Sequence, residues 1–303
     1  MHFADRLRIA CQHHGAAVCV GLDPVFERLP GELRRQAKRG LRKDDPPRRI
    51  EAIEVFCTGV LDAVAEHVPC VKIQAACFER YRGPGFDAMF RVIAAARQRG
   101  LMVILDAKRG DIGTTAAHYA SGLLEGATSA DALTVNAYLG PDSLQPFIDV
   151  AQRHGKGLFA LVRTSNPGGD ALQGLLLKNE RTVAQMAADM IARLGSAEPQ
   201  YLGESGESLL GAVVAATRPA DAVALRDAMP RQVFLVPGFG AQGGGIADVK
   251  PCFRGDGTGA IVTASRSVIY AFDQPSYAGE TDWRDAVAKA ARHMNEQLAG
   301  LFA

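Results

Sequence analysis

Apolar residues along the chain gather into eight short runs: Ala17–Leu22, Cys70–Gln74, Leu101–Asp106, Ala132–Ala137, Leu158–Arg163, Leu210–Ala215, Val233–Val236 and Ala260–Ala264. Runs of this length, rich in aliphatic residues and bounded by polar turns, predict buried strands. Most of the intervals between them carry helical spacing instead. Met89, Val92, Ile93 and Ala96 share a face within 88–98, and Val183, Met186, Ala187, Met190 and Ile191 do so within 182–194. Strand alternating with helix predicts a parallel sheet. Eight such units in about 250 residues suit a (β/α)8 barrel, with an open doubly wound sheet as the alternative this pattern leaves. A short amphipathic helix over 3–11, with Phe3, Leu7 and Ala10 on one side, precedes the first strand, and a helix over 282–301 closes the chain.

Two connections are longer than the rest. The extended segment after the first strand, 24–50, carries Arg34, Arg35, Lys38, Arg39, Arg42, Lys43, Arg48 and Arg49. Such a run is either a polyanion-binding patch or a solvated helix and loop. The other, 166–211, contains one helix and a stretch rich in Gly, Glu and Ser. No internal repeat or interdomain linker is visible, so residues 1–303 are expected to form one domain.

The polar residues are as regular as the apolar ones. Charged or polar groups follow seven of the eight runs, the end at which a (β/α)8 barrel carries its active site. They include Asp23 after the first run, Asp106 and Lys108 at the third, Ser165 after the fifth, Gln242 after the seventh and Arg266 after the eighth. Residues i and i+2 of a strand point to one side, so Asp106 and Lys108 are expected to project together, with Asp111 just beyond the strand. Lys72 stands inside an apolar stretch, Cys70 to Ile73. Alone it could bury its stem and extend its ammonium to the barrel mouth. Beside the third strand it completes an alternating array of Lys72, Asp106, Lys108 and Asp111. An opposite pair about 4 Å apart attracts by roughly 4 kcal/mol at an effective dielectric near 20, enough to fix such an array. The glycines at 238, 240, 243, 244 and 245 suit a phosphate cradle, because backbone N–H groups can approach an anion there. Gln242 and Arg266 would add side-chain donors to it; the other reading is a plain flexible loop and a surface arginine.

Composition narrows the classes. A net charge of +1 gives no electrostatic footprint for nucleic acid or an anionic membrane. The first eight residues include Asp5, Arg6 and Arg8 where a signal peptide needs an apolar core. No run of about 18 apolar residues exists to span a bilayer. A cytoplasmic protein is the expectation. The six cysteines form no Cys-x-x-Cys pair and His13 adjoins His14, which favours reduced thiols and no metal site.

The segment Asp106, Lys108, Asp111, Ile112 and Thr115 resembles the Asp-x-Lys-x-x-Asp-[Ile/Val]-x-x-Thr signature of the orotidine 5′-phosphate decarboxylase family, in its longer bacterial form. Gly21 to Pro24, Val71-Lys72, Arg163 to Gly168, Pro237 to Gly244 and Ser265-Arg266 are similar to the other motifs of that family, in the same order. The resemblance implies a cofactor-free, metal-free decarboxylation of orotidine 5′-monophosphate to uridine 5′-monophosphate (UMP), the last step of UMP synthesis. Lys108 would then protonate C6, with Asp106 near the scissile carboxylate and Lys72 and Asp111 completing the tetrad. Asp23 would bind a ribose hydroxyl, Ser165 the pyrimidine, and Gln242 and Arg266 the phosphate. The resemblance further implies a homodimer in which Asp111, Ile112 and Thr115 reach the partner subunit's site. Metal-dependent sugar-phosphate enzymes of the same superfamily, and a catalytically silent phosphate-ligand sensor, are the competing classes.

Overall fold

The computed structural model describes residues 1–38, 46–215, 219–238 and 245–301. Eight parallel strands close into a barrel in chain order: β1 Val18–Leu22, β2 Cys70–Gln74, β3 Met102–Arg109, β4 Ala132–Val135, β5 Gly157–Arg163, β6 Leu210–Val214, β7 Phe234–Val236 and β8 Ala260–Ala264. Every strand pairs in parallel with the next, and β8 returns to pair with β1. The open doubly wound sheet is thereby excluded.

Alternation along each strand divides the core in two. One set of side chains faces the surrounding helices and forms the larger cluster, including Val18, Val20, Val71, Val103 and Val262. The other set fills the barrel: Cys19, Cys70, Met102, Ile104, Ala132, Phe159, Val213, Leu235 and Ile261. Both faces are covered, which is why these strands read as continuous apolar runs. The N-terminal helix runs over Phe3–His14, three residues longer than its apolar face suggested, and Gly15 terminates it at φ 73°. Its Phe3 and Leu7 plug the floor of the barrel. Phe3 meets Phe159 edge to face with ring centroids 6.0 Å apart. A methyl on Gly157 would lie 2.2 Å from the Phe3 ring, so this strand can receive the plug only with glycine there.

The predicted helices are present with small shifts. The helix expected over 88–98 begins earlier, at Arg82. That of Val183–Leu194 starts on Thr182, whose hydroxyl accepts from the Gln185 backbone while the Gln185 side chain accepts from the Thr182 backbone. This reciprocal cap sets the boundary. The closing helix spans Trp283–Ala299, capped by Asp282. Within the long connection after β1, helices cover Gly31–Lys38 and Pro46–Val64; Arg39, Arg42 and Lys43 lie outside the described residues. Arg28 and Arg49 lie over the rings of Tyr270 and Phe26, and they pair with Asp273 and Glu27 at 3.3 Å each. Arg49, one of the eight basic residues of that run, is thereby held against Phe26 and Glu27 of the same connection. No helix among the described residues is long and apolar enough to cross a membrane. All six cysteines are free thiols, four of them buried.

Candidate active site

The interior stripe changes character near the C-terminal end of the barrel. Two residues beyond Cys70 stands Lys72, and Gln74 follows it. Two beyond Ile104 stands Asp106, two beyond Ala132 stands Thr134, and two beyond Ile261 stands Thr263. The apolar floor therefore carries a polar layer immediately above it, on strands whose positions the barrel fixes. A cavity of about 550 Å³ opens over this layer. Its walls include Asp23, Lys72, Asp106, Lys108, Ser165 and Arg266, six of the ten residues singled out in the sequence.

Asp106 is the hub. Its Oδ2 lies 3.0 Å from Lys72 Nζ and accepts from Gln74 Nε2 at 3.2 Å. Its Oδ1 accepts from Lys108 Nζ at 2.6 Å and from the Thr134 hydroxyl at 2.9 Å. Lys72 reaches a second carboxylate, Asp23 Oδ1, at 3.4 Å. Lys72 and Asp106 are buried, whereas the Lys108 side chain is 46% exposed and faces the cavity. A buried ion pair needs its remaining lone pairs satisfied to be tolerated, and Gln74 and Thr134 meet that need for Asp106.

Burial alone would raise the Asp106 carboxyl and lower the Lys72 ammonium. Lys72 and Lys108 outweigh burial at Asp106 and hold it well below its ordinary value of 3.8. Asp23 and Asp106 likewise raise Lys72 above its ordinary 10.5. A depressed carboxyl contributes stability that is present above its unfolded value and lost as pH falls through the folded one. A raised lysine contributes stability that is present below its unfolded value and lost as pH rises through the folded one. Both groups are thus charged throughout the window between about pH 5 and pH 9. A pH–rate profile should show no limb from either group there; an ionisation in that window that disappears in Asp106→Asn or Lys72→Met would contradict the assignment.

The third strand departs from the simple expectation. It continues to Arg109 rather than ending at Asp106, and its register against β4 shifts between Leu105 and Arg109. Lys108 lies in this irregularity with φ 48°, a left-handed conformation rare for a residue with a side chain. Asp106 and Lys108 do project together, through a bulge rather than through regular i, i+2 alternation.

The chain's own cavity does not gather Asp111, Ile112 or Thr115. Asp111 follows β3 and its Oδ1 accepts from the Ile112 backbone at 2.8 Å. Ile112 is 58% exposed, Thr115 is exposed, and none of the three lines the cavity. Gln242, with glycines 240, 243 and 244 of the expected cradle, lies outside the described residues. Of that loop's entrance, Gly238 lines the cavity at φ 98°, a conformation glycine adopts without strain. Arg266 is exposed at the mouth, and its side chain makes no hydrogen bond or ion pair among the described residues.

Several contributors carried no charge to betray them. Gln74, Thr134, Thr164, Asn166 and Thr263 line the cavity, and the interior alternation through Cys70, Lys72 and Gln74 was the signal for the first. The Thr263 hydroxyl is buried with no partner among the described residues. The buried Tyr270 accepts from the Val25 backbone at 2.7 Å and donates to the Asp23 carbonyl at 3.2 Å, which fixes the exit of β1. Ser265 Oγ stands 1.8 Å from where a Gly21 Cβ would be, so Gly21 leaves room for the turn preceding Arg266. Arg163 ties the segment after β5, through Asp170, to the helix Pro219–Ala228 after β6, through Asp221 at 2.7 Å.

A closed (β/α)8 barrel that carries a lysine–aspartate–lysine cluster in a cavity at the C-terminal ends of its strands has the architecture of a barrel enzyme. No group of His, Cys, Asp and Glu among the described residues could hold a metal ion. The model of the orotidine 5′-phosphate decarboxylase / HUMPS family matches residues 18–281, and the chain belongs to that family. An orotidine 5′-phosphate decarboxylase of Rhodopirellula baltica is 44% identical over 99% of this chain and 100% of its own length. Another, from Deinococcus radiodurans, is 46% identical over 84% of each chain. Among solved structures, the Leishmania donovani OMP decarboxylase superposes with a TM-score of 0.76 at 29% identity, covering 100% of this chain and 99% of that one.

Proposed function

We propose that the chain, acting as one domain over residues 1–303, decarboxylates orotidine 5′-monophosphate to UMP and CO2 without metal or cofactor. The observation that carries this reading is the pairing of one buried carboxylate, Asp106, with two ammonium groups, one of which, Lys108, faces the cavity. The full-length likeness to relatives named for this activity supports it.

Breaking the C6–carboxylate bond leaves its electron pair on C6, where no π system absorbs it. An ammonium held beside C6 stabilises that charge as it develops and then delivers its proton to C6, while CO2 departs. Lys108 regains a proton from solvent after product release. Fixed charges in a site partly closed to water act more strongly than in bulk and need no reorganisation during the step. Asp106 serves the array by keeping both lysines in place, and its charge beside the substrate carboxylate opposes the ground state. Stabilisation of the carbanion by Lys108 is the larger effect, because ground-state repulsion acts against binding as well.

Asp23 would bind a ribose hydroxyl, Ser165 the pyrimidine, and Arg266, together with Gln242, the phosphate. Binding energy from the remote phosphate then supports chemistry at C6. Arg266→Ala should lower kcat/KM on the nucleotide by about 10- to 100-fold, the scale of a lost charge-assisted contact. The same substitution should leave turnover of the phosphate-free nucleoside nearly unchanged, and equal losses on both substrates would defeat the assignment. Asp111, Ile112 and Thr115 are proposed to complete the site of a partner subunit in a homodimer.

The alternative within the family is a sugar-phosphate enzyme that depends on a divalent metal. Purified protein offered orotidine 5′-monophosphate and, separately, a 3-keto-gulonate phosphate decides between them. CO2 release from the nucleotide alone is expected; release from the sugar phosphate alone would overturn the reading, and tight UMP binding without turnover would favour a silent sensor.

A further inference from the structure

Resting on the proposed decarboxylation, we infer that Thr134 is a positioning residue that holds Lys108 in its reactive conformation. Its hydroxyl lies between two parts of the Lys108–Asp106 pair. The Lys108 backbone N–H donates to Thr134 Oγ1 at 2.9 Å, and Thr134 Oγ1 lies 2.9 Å from Asp106 Oδ1. The direction of both bonds is fixed by chemistry. A backbone N–H can only donate and an ionised carboxylate can only accept, so the single hydroxyl proton must point at Asp106. The same carboxylate oxygen accepts from Lys108 Nζ at 2.6 Å. A closed ring results: Lys108 N–H to Thr134, Thr134 to Asp106, and Asp106 back to the Lys108 ammonium. One hydroxyl thereby fixes the backbone and the side-chain tip of the same lysine against one oxygen atom.

The ring accounts for the irregular end of β3. Lys108 sits at φ 48° where the ladder to β4 shifts register, so regular strand pairing does not satisfy its N–H. A non-glycine residue persists in that region only when its surroundings over-determine it. Thr134 is 1% exposed on the adjacent β4 and is held rigidly enough to do so. Without the hydroxyl, Lys108 loses the partner that favours the left-handed turn, and its ammonium is free to leave the position facing the cavity. Small misplacements of a reacting group lower the rate of the chemical step much more than they lower binding.

The test compares Thr134→Val, which keeps shape and removes the hydroxyl, with Thr134→Ser, which restores it. Decarboxylation kinetics and UMP affinity are measured for both beside the wild-type enzyme. Thr134→Val should lower kcat by about 10- to 100-fold with KM and UMP affinity within about threefold, and Thr134→Ser should recover most of the loss. Where valine prevents folding, Thr134→Cys supplies a poor acceptor at nearly the same volume and is read in the same way. Unaltered kcat in the hydroxyl-free variant, a serine variant as slow as valine, or a parallel loss of kcat and UMP affinity would each overturn the inference. Failure of the wild-type enzyme to turn over the nucleotide would instead overturn the proposed function.

Discussion

Lys108→Ala is expected to reduce kcat on orotidine 5′-monophosphate by roughly 10⁴-fold, the combined scale of losing a general acid and a preorganised charge, with UMP affinity preserved. The asymmetry follows from the two lysines. Lys72 is buried between Asp23 and Asp106 and neutralises the array from below. Lys108 faces the cavity and, in the proposed mechanism, supplies the group that meets C6. Its removal leaves Asp106 with Lys72, Gln74 and Thr134 as partners, so the carboxylate is neither stranded nor released. The scaffold and the distant phosphate contacts should survive. Steady-state kinetics beside calorimetric UMP binding check both halves, and a variant with near-normal turnover would rule out Lys108 as the proton donor.

Mixing two inactive variants should restore activity. Asp111 lies past the end of β3, outside the cavity that its own chain forms, and the adjoining Ile112 is exposed. The proposed homodimer places Asp111 in the partner's site. Lys108→Ala and Asp111→Ala proteins should then each be nearly inactive alone. In a hybrid dimer, the site built on the Asp111→Ala chain keeps its own Lys108 and receives a native Asp111 from the other chain. Random reassociation about a two-fold axis makes roughly half the dimers hybrid, each with one intact site, so about one quarter of wild-type activity should return. Dissociating and remixing the purified variants measures this directly. A mixture no more active than its parents, or a monomer with full activity, would contradict the shared site.

The barrel was legible because its strands are buried on both faces. Each of the eight apolar runs overlaps an observed strand, and the ends shift by no more than three residues. The charged site was legible for a related reason, since lysine and aspartate at the end of an apolar strand are costly without a partner. Thr134 escaped notice because threonine is common in strands and announces nothing by charge. Its partnership with Lys108 depends on a bulge between β3 and β4 that only the paired backbone displays. Gln74 stood in plain alternation with Lys72, and the inward period of two would have found it. Asp111, Ile112 and Thr115 owe their proposed roles to the family signature, because nothing in strand periodicity assigns a residue to another subunit.

In the proposed reaction fixed lysine and aspartate charges, with no metal, remove CO2 from the nucleotide. Ultraviolet absorbance of orotidine 5′-monophosphate, followed with purified protein in excess EDTA, tests it most directly. Absorbance is expected to fall to that of UMP at the same rate with and without the chelator. Activity that is lost in EDTA and restored by a divalent metal would contradict it.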